Sequence, residues 1–299
     1  MTDSITPFKI TAFGLSDVGL VRKNNEDSFL IANCSDSAGT TIGCPLEGDG
    51  SLLLVADGMG GVQAGEVASR MAVDRVARYF FDQLTQQPAM SQENFVKVLQ
   101  ASIQEANRIV FEEGRNNNQL KGMGTTLTAA AIHGQFIFFA QLGDSRAYLA
   151  RNGSITQMTR DQSLVAQLVA SGSLTPEEAK AHPQRNVILQ ALGIQPQVDV
   201  IISSTQLKRG DQLVMCTDGL SGKVDVEEIK ELLERWLEPK ATCQHLVELA
   251  RERGGDDNIT VIVSSFDGDG LSDPYPDDIP VYNRFREETR RRFWPWRRS

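Results

Sequence analysis

Apolar residues alternate with polar ones, or run on for a few positions, in Phe8–Leu15, Ser28–Asn33, Leu52–Ala56, Thr125–Ile132, Gln135–Leu142, Ala147–Arg151, Ser154–Met158, Val198–Ser204, Leu213–Cys216 and Ile259–Ser265. That pattern predicts strands. Asn152-Gly153 has the positive-φ preference of a two-residue hairpin turn, and His133-Gly134 is a weaker form of the same signal. Other stretches repeat apolar residues every three to four positions. Ala68, Ala72, Val76, Phe80 and Leu84 make one stripe within Gly65–Leu84, and Phe95, Leu99, Ile103, Ala106 and Val110 make another within Ser91–Glu113. Both predict helices that cover a sheet. Thr175-Pro176-Glu177-Glu178 reads as a capping box with proline at the first helical position, so a short helix starts there. Val226–Leu237 and Thr242–Arg253 predict two late helices before the last strand. Hairpins dominate and no strand–helix–strand alternation appears, so the expected class is α+β: a sandwich of largely antiparallel sheets with helices outside, not a doubly wound sheet.

Composition narrows the class without naming a function. The 299 residues are 40% hydrophobic and 23% charged, ample for a soluble globular core. The best candidate for a membrane span, Thr125 to Leu142, is interrupted by His133, Gly134 and Gln135. Met1–Ile10 lacks the apolar stretch of a secretory leader, so none is expected. Cys34, Cys44, Cys216 and Cys243 have no metal-type spacing and are too few to staple the chain, which suits a reducing cytoplasm. Cys34 and Cys44 could close a loop under oxidation.

The net charge of −9 argues against a general nucleic-acid binder, whose surface must attract phosphates. The charge is uneven: seven Arg against two Glu give residues 282–299 a balance of +5, which leaves −14 on residues 1–281. Between them, residues 267–281 turn to Asp, Gly and Pro and read as a linker. Phe293, Trp294 and Trp296 among arginines suit an anionic surface or a partner, with a free end or one docked on the acidic body as the blander readings.

The informative pattern is where acids fall relative to strands. Asn25-Glu26-Asp27 and Asp256-Asp257-Asn258 stand just before predicted strands, and Asp57-Gly58 and Asp218-Gly219 just after them. In an antiparallel sheet the start of one strand lies beside the end of its neighbour, so these segments can meet at one rim. Each Asp-Gly alone is an ordinary turn signal; together they suggest more. Carboxylates at close range need a counter-charge, and oxygen donors without Cys or His select hard ions such as Mg²⁺ or Mn²⁺. Gly58, Gly60 and Gly61 would let the backbone turn tightly against such an ion.

The ordered motifs Ser16–Asp27, Val55–Gly61, Gly122–Thr126, Leu142–Arg146, Arg185–Val187 with Ala191–Gly193, Thr217–Leu220 and Gly255–Thr260 resemble the PPM family of metal-dependent protein phosphatases, the type-2C class, and especially its bacterial members. The resemblance covers roughly residues 8 to 266. Seven motifs in order are specific where any one alone is weak. It implies a four-layer α-β-β-α sandwich over residues 1–266 with two or three divalent cations, Mn²⁺ or Mg²⁺, at its rim. By the same resemblance Asp57 is the ligand bridging two ions. Asp218 and Asp257 complete the first, and the Gly58 carbonyl serves the second. Glu26 and Asp27 hold the ions' waters, Asp144 serves a third and weaker ion, and Arg22 grips the substrate phosphate. The chemistry stands on its own: cations acidify an attacking water and offset charge on the phosphoryl oxygens, and the fork of Arg22 can bind two oxygens at once.

Two positions depart from relatives. Met59 stands where eukaryotic members place a His credited with protonating the leaving oxygen, so the general acid is left open. Asp161-Gln162-Ser163 opens a flap segment, about 161–190, where many relatives have Asp-His-Ser. Substrate preference is expected to reside in that flap. His182 could reach the site from it or be a surface residue, and His133 and His245 read as turn and helix-surface residues. Arg146 and Arg185 read as local organisers before substrate contacts. The expected function is therefore a cytoplasmic serine/threonine phosphatase acting on phosphorylated proteins, substrates of serine/threonine kinases. The alternatives are an inactive phosphatase-like regulatory module, or an enzyme dedicated to one phosphorylated signalling regulator. All the acids are present, which disfavours the inactive module.

Overall fold

The structure, a computed structural model, describes residues 8–33, 45–47, 50–60, 64–87, 89–236 and 238–285. Cys34, Cys44, Gly61 and the tail beyond Phe285 lie outside the described residues. The strands form two sheets. The first runs in the order β3 (Pro45–Glu47), β1 (Lys9–Asp17), β12 (Ile259–Asp267), β11 (Gln212–Cys216), β8 (Arg146–Arg151), β9 (Ser154–Gln157). The second runs β13 (Asn283–Arg284), β10 (Ile201–Gln206), β7 (Phe136–Leu142), β6 (Leu127–His133), β4 (Ser51–Met59), β2 (Asp27–Asn33), with β5 (Gly124–Thr125) paired to the end of β4. Neighbours are antiparallel, as the hairpin signals require. At the β8–β9 turn Asn152 and Gly153 take φ values of 51° and 72°, the left-handed pair that a tight hairpin needs.

Both faces of each sheet are covered, which explains the continuous apolar runs. On β4, Leu52, Leu54 and Ala56 face α1 (Ala64–Gln86) and α2 (Gln92–Asn116), whereas Leu53 and Val55 face the other sheet. The two predicted stripes on α1 and α2 are buried at every position, with Phe80 and Phe95 edge to face at 5.4 Å. Between the sheets lie Ile10, Ile31, Phe139, Leu149, Met215, Ile262 and Phe266. On the far side α6 (Val226–Arg235) and α7 (Pro239–Glu252) cover the first sheet through Ile229, Leu233 and Leu246. The result is the expected α+β sandwich in four layers. No helix among the described residues is long and apolar enough to cross a membrane.

Some expectations need correction. Asp57-Gly58 does not follow its strand; β4 continues through Met59 because β2 and β5 pair with its end. The strand expected at Val198–Ser204 starts at Ile201. Val198 is buried against the helical layer, and its carbonyl accepts from the Gln104 side chain of α2 instead of a strand. β3, β5 and β13 are too short to show a period, and α3 (Leu164–Ala170) buries no residue fully, so it carries no stripe. α7 begins at Pro239, three residues before the expected Thr242, with proline in its first turn. The expected linker is bound to the body. Asp278 pairs with Arg151 at 3.0 Å, the Asn152 side chain donates to the Tyr275 and Asp278 carbonyls, and Asn283–Arg284 adds to β10.

Candidate active site

Strand parity sets the first two acids. On β4 the residues facing the other sheet are Leu53, Val55 and then Asp57; on β2 they are Ile31, Phe29 and then Asp27. The register pairs Asp27 directly with Asp57, so two carboxylates sit opposite each other where the sheets part. Like charges directly across a strand pair are destabilising, so this arrangement calls for something else at the site.

The opposite sheet closes around them. The Thr217 hydroxyl, at the end of β11, donates to Asp27 Oδ2 at 2.8 Å, and Asp218 follows as the first residue of the short α5 (Asp218–Ser221). Before β12, Asp257 accepts from the Arg22 guanidinium at 2.8 Å, a pair with side-chain exposures of 55% and 38%. Asn258 ties the entering loop to this edge: its Oδ1 accepts the Glu26 N–H at 2.8 Å, and its Nδ2 donates to the carbonyls of Val18 and Asn24, both at 3.0 Å. The Glu26 carbonyl in turn accepts from the Gly58 N–H at 3.1 Å and from the Ser69 hydroxyl of α1 at 2.6 Å. Glycine is required where backbones meet here. A Cβ on Gly58 would strike the carbonyl oxygens of Gly65 and Glu26, and one on Gly219 would strike that of Asn258.

Asp144 reaches the same group from the β7–β8 turn. Beside it Arg146 is committed to Asp161, with contacts of 2.9 Å and 2.7 Å to Oδ2, and also meets the Tyr148 hydroxyl at 3.3 Å. It therefore organises the flap base. Gln162, in the position of the departure, clasps the flap: its side chain accepts the Gly143 N–H at 3.0 Å and donates to the Asp199 carbonyl at 2.9 Å. Ser163 caps α3, and Thr175 forms the expected capping box on α4 (Pro176–Ala181).

The electrostatics are those of a cluster short of positive charge. Burial pushes the Asp27 carboxyl up to about 7, with the neighbouring Thr260 and Thr217 hydroxyls opposing and Asp218 and Asp257 adding to the rise. Burial likewise pushes Asp144 up to about 7, with Asp218 and Asp161 next. Asp57 is held well above the usual range by burial, then by Asp27, Asp218 and Asp144; Asp218 is raised by burial and by Asp257. Glu26 is raised by burial, with Arg22 opposing. Asp27 Oδ1 and Asp144 Oδ1 are buried without a hydrogen-bond partner among the described residues. All the donors are oxygens. Buried, mutually repelling carboxylates with unpartnered oxygens fit hard divalent cations. Among the described residues no group of three or more His, Cys, Asp or Glu side chains is arranged to hold a metal ion by itself.

Other candidates fall elsewhere. Met59 ends β4 paired with Gly124 and offers no titratable group. His182 caps α4, where its Nδ1 accepts the Gln184 N–H; His133 bonds the Met90 carbonyl and stacks on Phe95; His245 stacks on Trp236. Arg185 is exposed on the flap. Burial pushes the Cys216 and Cys243 thiols up to about 12, so both are inert. Thr217 and Asn258 are the supports the sequence did not assign. Thr217 precedes Asp218 and Asn258 follows Asp257, both predicted ligands, but their partners lie 190 and 232 residues away.

Residues 32–252 match the family model described as Protein phosphatase 2C. Over 249 residues the chain is 39% identical to the serine/threonine protein phosphatase PstP of Mycobacterium tuberculosis, covering 83% of this chain and 43% of that protein, so it spans less than half of that relative's length. It is 36% identical over 251 residues to the serine/threonine phosphatase stp of Listeria monocytogenes, covering 83% of this chain and 92% of that one. The solved catalytic domain of PstP in complex with two manganese ions superposes with a TM-score of 0.72 at 34% identity, over 87% of this chain and 100% of that one.

Proposed function

The chain belongs to the protein phosphatase 2C family, and from that premise we propose that it hydrolyses phosphoserine and phosphothreonine in proteins at the carboxylate rim, with two or three divalent cations, Mn²⁺ or Mg²⁺, as cofactors. The observation that carries this reading is the Asp27–Asp57 pair, face to face with Asp27 buried, with an unpartnered oxygen on Asp27 and with Asp218 and Asp257 converging from the other sheet. Asp57, Asp218, Asp257, Asp144 and the Gly58 carbonyl would hold the ions, with Glu26 and Asp27 orienting water. Bound cations would supply the positive charge that acidifies the attacking water and offsets charge on the phosphoryl oxygens.

The chain's own residues do the rest. Arg22 gives one terminal nitrogen to Asp257 and keeps more than half of its side chain exposed, so its remaining donors can turn to a phosphate. Thr217 and Asn258 hold Asp27 and the Glu26 backbone fixed while the substrate exchanges. The flap base is locked by Arg146–Asp161 and Gln162, and α3 and α4 of the flap would meet the substrate protein. Action in the cytoplasm on the products of serine/threonine kinases belongs to the same proposal.

The test is release of phosphate from p-nitrophenyl phosphate and from phosphoserine and phosphothreonine peptides, with Mn²⁺ or with excess chelator. We expect turnover only with metal, and a loss of at least about 100-fold in Asp57→Asn and in Asp218→Asn. Undiminished turnover in chelator would reject the mechanism.

A further inference from the structure

Along the outer face of the first sheet, between β1 and α7, runs an open groove of about 770 Å³. Its floor is apolar, formed by Leu15 and the buried Val247, and Leu20 stands at one end with 58% of its surface exposed. Its walls are acidic. Asp17, Glu248 and Glu252 line it, and the only cation among its lining residues apart from a histidine, Arg251, is already paired with Asp17 at 2.9 Å. Three carboxylates against one committed guanidinium favour a cationic occupant.

At Leu20 the groove adjoins the loop that carries Arg22. The Leu20 N–H donates to the Gly255 carbonyl at 2.7 Å, and the Gly19 backbone lies so close to Asp257 that a Cβ there would strike the Asp257 carbonyl. Arg22, two residues beyond Leu20, is bonded to Asp257. Two extended residues span about 7 Å, so a chain whose phosphate sits at Arg22 reaches the groove within two to four residues.

We propose that this groove binds the segment of the protein substrate that flanks the phosphoresidue, seating an aliphatic side chain on Leu15, Leu20 and Val247 and a lysine or arginine against Glu248 and Glu252. The proposal rests on the phosphatase reading above and adds a sequence preference to it. The chain's own arginine-rich end is also cationic. It follows β13, which lies at the opposite edge of the second sheet, five strand spacings of about 4.8 Å from β2, the strand that packs beneath β1. Its fourteen residues, 286–299, are long enough to span that distance, so the experiment includes their removal. A substrate already held at Arg22 is the nearer occupant.

The experiment compares the parent enzyme with the double variant Glu248→Lys/Glu252→Lys, on the exposed face of α7, and with Leu20→Ser. Each is assayed in Mn²⁺ on p-nitrophenyl phosphate and on phosphopeptides whose flanks are basic and aliphatic, or acidic and polar. We expect the parent to prefer the basic, aliphatic peptide. The charge reversal should cut kcat/KM on that peptide about fivefold, the size that two exposed ion pairs support, through KM and with p-nitrophenyl phosphate unchanged. Leu20→Ser should lower the same peptide alone. Equal turnover of the two peptides by the parent, or equal losses on p-nitrophenyl phosphate, would overturn the groove. So would a rise in peptide turnover on charge reversal that deletion of residues 286–299 reproduces, since the tail would then be the occupant. No p-nitrophenyl phosphate hydrolysis by the parent would reject the phosphatase reading instead.

Discussion

Asn258 binds three strangers with one amide: the Glu26 N–H and the carbonyls of Val18 and Asn24. Its own N–H is turned to Asp257 Oδ1 at 2.9 Å, so one residue fixes both the loop that carries Arg22 and Glu26 and the carboxylate that Arg22 meets. The side chain is 5% exposed, and truncation would leave polar backbone groups with little access to water. Each such group costs about 1–3 kcal/mol. Asn258→Ala is therefore expected to destabilise the protein by about 2–4 kcal/mol in urea, partial access to water offsetting some of the loss. It should also lower turnover at limiting Mn²⁺ more than at saturating Mn²⁺, because its effect passes through the position of Glu26 and Asp257. A stable variant with an unchanged Mn²⁺ dependence would remove this role.

Among the elements, those that bury one regular stripe or both faces were legible in the sequence: α1, α2 and the central strands declare themselves through Val76, Phe80, Leu99, Leu53 and Leu54. The acids at strand ends were legible for the same reason, since Asp27, Asp57, Asp218 and Asp257 each adjoin such a strand. What stayed hidden depends on partners distant in the chain. The Asp27–Asp57 register, the Thr217 and Asn258 bonds and the end of β4 at Met59 exist only once β2, β5 and the opposite sheet are in place. Gly58 marks that junction, where the end of β4, the start of α1 and the Glu26 backbone come too close to admit a Cβ. Gly58→Ala must force two carbonyls apart, an overpacking that costs about 1–3 kcal/mol. Measured in chelator, so that metal binding is excluded, the variant is expected to unfold at lower denaturant by that amount; an unchanged midpoint would show that the junction can relax.

At the scale of the molecule, burial sets the rim against the rest. The segment after β12, expected as a linker, is strapped down by the buried Arg151, which bridges Asp211 at 2.7 Å and Asp278 at 3.0 Å, so opposite charges meet there. At the rim only Asp257 has such a partner, Arg22, while Asp27, Asp57 and Asp144 crowd together, and the cost should appear in how stability follows pH. Asp27 and Asp144 ionise near 7 in the folded protein, against an ordinary value of 3.8. Between those values the unfolded chain has lost protons that the fold retains, so stability falls as pH rises from about 4 to about 7 and stays low above it. The carboxylates held down by partners, such as Glu228 at about 2, act in the opposite direction but only in acid, below about 4.5. The metal-free protein should therefore melt lower at pH 8 than at pH 5 by about 5 °C or more. Divalent cations bind the ionised forms, so Mn²⁺ should raise the melting temperature much more at pH 8 than at pH 5. Asp27→Asn removes one of the titrating groups and should flatten the metal-free profile. Calorimetry of parent and variant in chelator and in Mn²⁺ checks this, and a metal-free parent whose melting temperature rises from pH 5 to pH 8 would mean that the buried carboxylates do not govern the rim.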